Sequence, residues 1–184
     1  MCTRSIAAVL LVLCWIPASA NDLEDISAYR QYSESFASAG QPTIEQMQRL
    51  RDAGFERIVY IAWSDQEHAI ANEDRVVRNL GMEYLHIPVE WEAPALSDFE
   101  MFAGALQQAP GRKTLLHCQV NYRASVFALL YRVIYADVPL AEAKRDMNSV
   151  WTPNEAWRNL IFEVLHAHGI SPQCEGCDWS IQAE

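Results

Sequence analysis

The sequence has no basic run, no internal repeat, no low-complexity tract and no apolar stretch long enough to cross a membrane. Only 14 of its 184 residues are lysine or arginine, against 24 aspartates and glutamates, for a net charge of −10. Nucleic acid needs a concentrated basic surface to repay its counterions, so it is excluded as an expected partner. The most apolar stretch, "IAAVLLVLCWI" (6–16), is far short of the roughly 20 residues a spanning helix requires. Cysteine is scarce too, with five in the chain, of which Cys2 and Cys14 lie in the amino-terminal segment and Cys118, Cys174 and Cys177 beyond it.

What stands at the amino terminus is instead the layout of a secretory leader. Arg4 supplies the positive region, residues 6–16 the apolar centre, and "ASA" (18–20) the small residues of a cleavage site. A lipoprotein is not indicated, because Leu13 precedes Cys14. The expected division is a signal peptide over 1–20 and one folded domain over 21–184, ending in a short Cys-x-x-Cys tail (171–184). Cleavage removes one positive charge, so the mature chain is more acidic still. It would be exported to a bacterial periplasm or secreted, without stable membrane insertion. An anionic substrate would then have to be held by a local positive site, since the global field repels it.

Short apolar runs alternate with amphipathic segments, which predicts an α/β fold: a single three-layer domain with a mainly parallel four- to five-stranded sheet flanked by helices. "RIVYIAW" (57–63), "EYLHIPV" (83–89) and "KTLLHC" (113–118) read as strands, and "SFASAG" (35–40) as a short edge strand. Capping boxes are expected at "TIEQ" (43–46), "SDQE" (64–67) and "TPNE" (152–155), and Ser97 is expected to cap a helix with Leu96 and Met101 as a staple. Gly54 and Gly81 mark helix ends. "SVFALLYRVIY" (125–135) and "LAEAKRDMNSV" (140–150) read as further helices, and the last helix places Trp157, Leu160, Ile161, Val164 and Leu165 on one stripe.

Chemistry concentrates in "LLHCQVNYRAS" (115–125). Cys118 ends a buried strand and faces a helix expected to begin near residues 123 to 125. The unpaired amides and partial positive charge of a helix start favour a thiolate and any anion set against it. Asn121 is a suitable non-glycine residue for a left-handed turn, and the guanidinium of Arg123 is a two-pronged anion clamp. Read singly, Cys118 is a small buried hydrophobe and Arg123 a surface ion-pair partner. The combination points to an anion or sulfur site.

At these residues the chain resembles the protein tyrosine and dual-specificity phosphatase superfamily, most closely the bacterial phosphatase-like domains that accompany beta-lactamase-like hydrolases. "GQPTIEQMQRLRDAGFERIVYI" (40–61), "YLHIPV" (84–89) and the cysteine segment carry the likeness, over most of residues 35–168. The resemblance implies a phosphatase-like fold and a thiophosphate intermediate on Cys118. It further implies that His117, Gln119, Val120, Asn121, Tyr122, Ala124 and Ser125 surround the substrate, a phosphorylated small molecule or protein. Four residues separate Cys118 from Arg123, one fewer than the superfamily uses. Two registers follow. In one, Ser125 supplies a hydroxyl to the thiolate and Arg123 stands one residue early; in the other, favoured here, Arg123 is the phosphate-binding arginine and Ala124 replaces the hydroxyl. The short loop also resembles that of rhodanese-type sulfurtransferases, and a persulfide-handling protein or a non-catalytic phosphate-binding module stays open as an alternative.

A phosphatase also needs an acid for the leaving oxygen. The resemblance places it in "VEWEAPALSD" (89–98), where the usual aspartate position falls on Trp91. Glu92 is preferred to Glu90, and Asp98 and Glu100 are assigned to a helix start. His166, His168, Cys174 and Cys177 have a spacing compatible with zinc, but histidines two apart on a helix diverge. An exported protein favours a Cys174–Cys177 disulfide instead, and no metal or organic cofactor is expected. Trp91 is expected at the rim of the site, His68 on a helix surface, and His86 as a hydrogen-bonded strand residue.

Overall fold

The computed structural model describes residues 23–180; the leader assigned to 1–20 lies outside them. The described residues form five strands and six helices. β1 (Arg30–Ser33) and β2 (Phe36–Ala39) form an antiparallel hairpin, and α1 (Ile44–Asp52) follows. Then come β3 (Arg57–Tyr60), α2 (Glu73–Asn79), β4 (Glu83–His86), α3 (Leu96–Gln108) and β5 (Thr114–His117). Three helices close the fold: α4 (Tyr122–Tyr135), α5 (Leu140–Asn148) and α6 (Glu155–Ala167). The sheet order is β1-β2-β5-β3-β4, and every pair except β1·β2 is parallel.

Strand alternation divides the core into two layers. Ala37, Ile58 and Leu115 face α1 and α2, packing with Met47, Leu50 and Val77. Val59 and Leu116 face the other way, toward Phe99, Phe102, Phe127, Trp157 and Ile161 of α3, α4 and α6. β5 is buried along its whole length, as a strand covered on both faces must be. It joins the sheet last yet lies between β2 and β3. Its carboxyl end therefore opens at the point where the strand order reverses, the usual location of a binding crevice in such sheets.

The α/β expectation holds, with a sheet of five strands, and several boundaries move. β2 is interior and fully buried, because β1 covers it; β1 is polar, half-exposed and carries no strand pattern in the sequence. The helix expected from residue 64 begins only at Glu73. Asn72 adopts a left-handed conformation (φ 58°) that a continuous helix excludes, so His68 sits in turns and not on a helix. α3 is entered through extended Ala95, whose N–H is bonded by the Asp98 carboxylate at 3.1 Å; Ser97 is already helical and Met101 is exposed. α6 is capped by Asn154, which accepts from the Trp157 N–H at 3.2 Å, so Thr152 and Pro153 precede the helix. The box at Thr43 and Gln46 forms as expected, and the Trp157 stripe is buried. Among the described residues no helix is long and apolar enough to cross a membrane.

Arg57, at the start of β3, is almost fully buried and bonds Glu83 of β4 at 2.7 Å; Arg112 reaches the same carboxylate oxygen at 2.5 Å. Burial alone would raise the Glu83 carboxyl, but the hydrogen bonds from Arg57 and Arg112 outweigh it and hold the group below its ordinary value. A lowered folded value stabilises the fold above the ordinary glutamate range near 4.5, and that contribution is lost as pH falls through the lowered value. Glu83→Gln is therefore expected to lower the melting temperature at pH 7, with the difference from wild type shrinking below pH 4.5. Paired thermal melts across that range would check it.

Candidate active site

The chain leaves β5 with its backbone paired on both sides: Ile61 N–H bonds the His117 carbonyl at 3.0 Å, and Cys118 N–H bonds the Ala39 carbonyl at 3.3 Å. Cys118 follows the inward alternation of Leu116 and belongs to the α3–α4–α6 core layer, with no exposed surface. His117 points to the opposite face, where its ring stacks on Tyr60 with centroids 4.8 Å apart. Neighbours in sequence thus serve different layers of the molecule.

Beyond Cys118 the loop turns through Asn121, left-handed at φ 69°, directly into α4, so the helix starts slightly earlier than the sequence indicates. Asn121 N–H faces the Ala39 carbonyl in the antiparallel bridge that joins Gly40 and Val120, whereas the N–H groups of Gln119, Val120, Tyr122, Arg123 and Ala124 show no protein acceptor among the described residues; Ser125 N–H bonds the Asn121 carbonyl at 2.9 Å. A run of free donors on a turn that feeds a helix forms a nest for an anion. Its outer wall is held by other bonds. Gln41 N–H meets the Gln119 carbonyl at 2.9 Å, and Asn121 Nδ2 donates to the Ala28 carbonyl at 2.7 Å.

Arg123 sits on the first turn of α4 and is almost fully buried. No carboxylate pairs with it among the described residues. Its Nε is buried without a partner, and the guanidinium lies 5.0 Å from the centre of the Trp91 ring. A buried cation without a countercharge is costly. Ser125, by contrast, is engaged: its hydroxyl donates to the Tyr122 carbonyl at 2.9 Å and accepts from Trp151 Nε1 at 3.2 Å. Ala124, next to Arg123, is buried as well.

Aromatic rings border the loop. Tyr122 stacks flat on Trp151 (4.6 Å, 4°), and Trp91 packs against Trp151 at 5.3 Å. Trp157 Nε1 anchors the Trp91 carbonyl at 3.0 Å, which ties the segment after β4 to α6. In that segment Glu90 bonds the N–H of Trp91 at 2.8 Å and Asp98 caps α3, whereas Glu92 is exposed and makes no hydrogen bond or ion pair among the described residues. On the other side of the loop lies a cleft of about 650 Å³, lined in part by Gln119, Val120, Ile44, Ile70 and His68.

The sequence did not reveal the support on the α2 side. Glu73 is buried, with Oε1 2.8 Å from His117 Nε2, at an angle outside good hydrogen-bond geometry, and Oε2 3.3 Å from Gln41 Nε2. Tyr60 lies between the rings of His117 and His86, and His86 Nε2 meets the Ala62 carbonyl at 2.8 Å. Burial, then the Glu73 carboxylate, push the Tyr60 phenol up to about 12. It therefore keeps its proton and donates to the Trp63 carbonyl at 2.9 Å. An acidic residue in the first turn of a helix carries no signal beyond the helix dipole, which is why Glu73 was not legible. Cys174 and Cys177 are joined in a disulfide in the carboxyl-terminal segment, and among the described residues no cluster of three or more His, Cys, Asp or Glu side chains is placed to hold a metal.

The sequence model of a family described as a DSP-PTPase phosphatase fused to NAD+ kinase matches residues 15–162. A crystal structure of a DUF442 protein from Shewanella putrefaciens CN-32, named as a candidate phosphatase, superposes with a TM-score of 0.75 at 32% identity, covering 82% of this chain and 99% of that one. Tk-PTP in its active form is similar at a TM-score of 0.65 and 16% identity, over 76% of this chain and 97% of its own. PTPMT1 in complex with PI(5)P is similar at 0.64 and 15%, over 77% and 96%. These last two likenesses concern the fold. No curated protein matches the chain.

Gly40 shows how tightly the loop is braced. A Cβ there would lie 2.8 Å from the Gln119 carbonyl oxygen and 2.9 Å from Ser27 Cβ. Gly40→Ala is expected to cost about 1–3 kcal/mol in denaturant unfolding, the usual range for overpacking, and to weaken inorganic phosphate binding measured by calorimetry.

Proposed function

We propose, since this chain belongs to the DSP-PTPase phosphatase family of cysteine-dependent phosphatase-like proteins, that it hydrolyses phosphomonoesters through a thiophosphate formed on Cys118. The observation that carries the reading is the group of unpartnered amides at 119, 120 and 122 to 124 together with the unpaired, buried Arg123. Both are donors aimed at negative charge in a chain that is otherwise strongly acidic, and donors fixed in advance stabilise charge that develops on the phosphoryl oxygens.

In the first step the Cys118 thiolate attacks phosphorus: the Sγ–P bond forms, the ester P–O bond breaks, and Glu92 gives its proton to the departing alcohol oxygen. In the second, Glu92 takes a proton from water, the water oxygen attacks phosphorus, and the Sγ–P bond breaks to release inorganic phosphate and the thiolate. Arg123 and these unpartnered amides hold the equatorial oxygens throughout. Glu92 is assigned as the acid because Glu90 and Asp98 are already committed to backbone groups. The cleft beside Val120 and Ile44 gives room for a leaving group larger than a simple alcohol. The amino-terminal leader pattern and the Cys174–Cys177 disulfide support an exported protein.

Hydrolysis of an aryl phosphate by purified protein with reductant tests the reading. Cys118→Ser is expected to abolish turnover, Arg123→Ala to lower kcat/KM by about 10²-fold or more, and Glu92→Gln to lower kcat by about 10²-fold with poor leaving groups and less with good ones. Turnover equal to that of Cys118→Ser would overturn the hydrolase assignment. A Cys118 persulfide after thiosulfate treatment would then point to sulfur transfer, and retained phosphate binding to a non-catalytic module.

A further inference from the structure

His117 is held by groups that the proposed chemistry does not use. On the α2 face of the sheet, the ends of three neighbouring parallel strands bring His86, Tyr60 and His117 into register. Their rings stack in a row, 5.2 Å and 4.8 Å between centroids. Over this row sits the Glu73 carboxylate, 3% exposed, with one oxygen 2.8 Å from His117 Nε2. Its other oxygen accepts from Gln41 Nε2, and the backbone of Gln41 in turn bonds the Gln119 carbonyl of the cysteine loop.

A carboxylate shut away from water is tolerated only beside donors. Here the donors within reach are the imidazole of His117 and the amide of Gln41, each one step from Cys118. The thiol itself lies on the opposite face of β5, so Glu73 acts on it only through the residues it grips. Gln41 N–H fixes the carbonyl of Gln119, the residue after the cysteine, and the His117 ring fixes the residue before it. The cysteine is bracketed by two side chains that converge on one buried acid.

We propose that Glu73 is a positioning residue for Cys118. By clamping the His117 ring and the Gln41 side chain together, it sets the backbone on both sides of the cysteine and so aims the thiolate at the amide nest. The proposal rests on Cys118 being the nucleophile. Its test therefore reads the thiol directly and does not depend on turnover.

The probe is iodoacetamide at pH 7, with adducts assigned by peptide mapping on purified wild type, Glu73→Gln, Glu73→Asp and Val77→Ala. Val77 is buried on the same helix, and its truncation loosens α2 without removing the carboxylate. Glu73→Gln is expected to slow Cys118 alkylation by about tenfold, mid-range for coupling between residues in contact, in protein shown to be folded by its melting transition. Glu73→Asp, which keeps the charge, is expected to recover part of the wild-type rate, and Val77→Ala to melt earlier yet alkylate at the wild-type rate. A merely structural role would group Glu73→Gln with Val77→Ala, and that result overturns the proposal. Should Glu73→Gln not fold, Glu73→Asp against Val77→Ala decides it: an alkylation rate distinct from both wild type and Val77→Ala supports positioning, and a rate equal to Val77→Ala overturns it. Wild-type Cys118 reacting no faster than the same cysteine in denatured protein would instead overturn the nucleophile assignment itself.

Discussion

A row of backbone donors without acceptors is stable only where other contacts hold the chain rigid, and this constraint organises the molecule around the Cys118 loop. Left to itself, a short loop would turn its amides toward its own carbonyls or toward water. Here the bracing is done from outside by bonds that spare the inward donors. The Gln119 carbonyl is taken by Gln41, the Asn121 side chain reaches Ala28, and the Cys118 amide remains tied to β2. Gly40 matters for the same reason: its missing side chain is what lets the β2–α1 connection lie flat against the loop. Sheet order, hairpin and first helix thus serve one local geometry.

Much of the scaffold was legible because it is written in local patterns. β3 and β5 announce themselves as unbroken apolar runs, α1 by its capping box, and α6 by a stripe of large side chains that the structure buries. Misplaced boundaries share a physical cause. Ser64, Ser97 and Thr152 all stand where a capping residue is expected, but caps are decided by which residue the chain can hold extended, and that depends on its surroundings. Ala95, which has no side-chain acceptor, serves as an N-cap because Asp98 reaches back to its amide. β1 was invisible because a polar edge strand looks like a loop until it has a partner.

The site divides along a similar line. Cys118, Arg123 and the left-handed Asn121 follow from residue type and spacing alone. What surrounds them does not. Glu73 arrives from α2, Tyr60 from β3, Trp91 from the segment after β4, and Trp151 from the α5–α6 connection, each separated from the loop by many residues and joined to it only by the fold. Arg123 has no carboxylate partner among the described residues, and its guanidinium rests on the face of Trp91, a cation–π contact that offsets part of the cost of its burial.

One feature of the cysteine inventory bears on how such a protein ages. Cys174 and Cys177 are already joined, and Cys118 is the single free cysteine among the described residues, buried at the base of its loop. Many oxidant-exposed thiols are rescued by a second thiol nearby, which traps the sulfenic acid as a disulfide before it goes further. Within the described chain no such rescuer exists. Protection of Cys118 within the described residues is therefore kinetic, resting on restricted access to its buried sulfur. In this arrangement the burial of the sulfur sets how long the thiol survives.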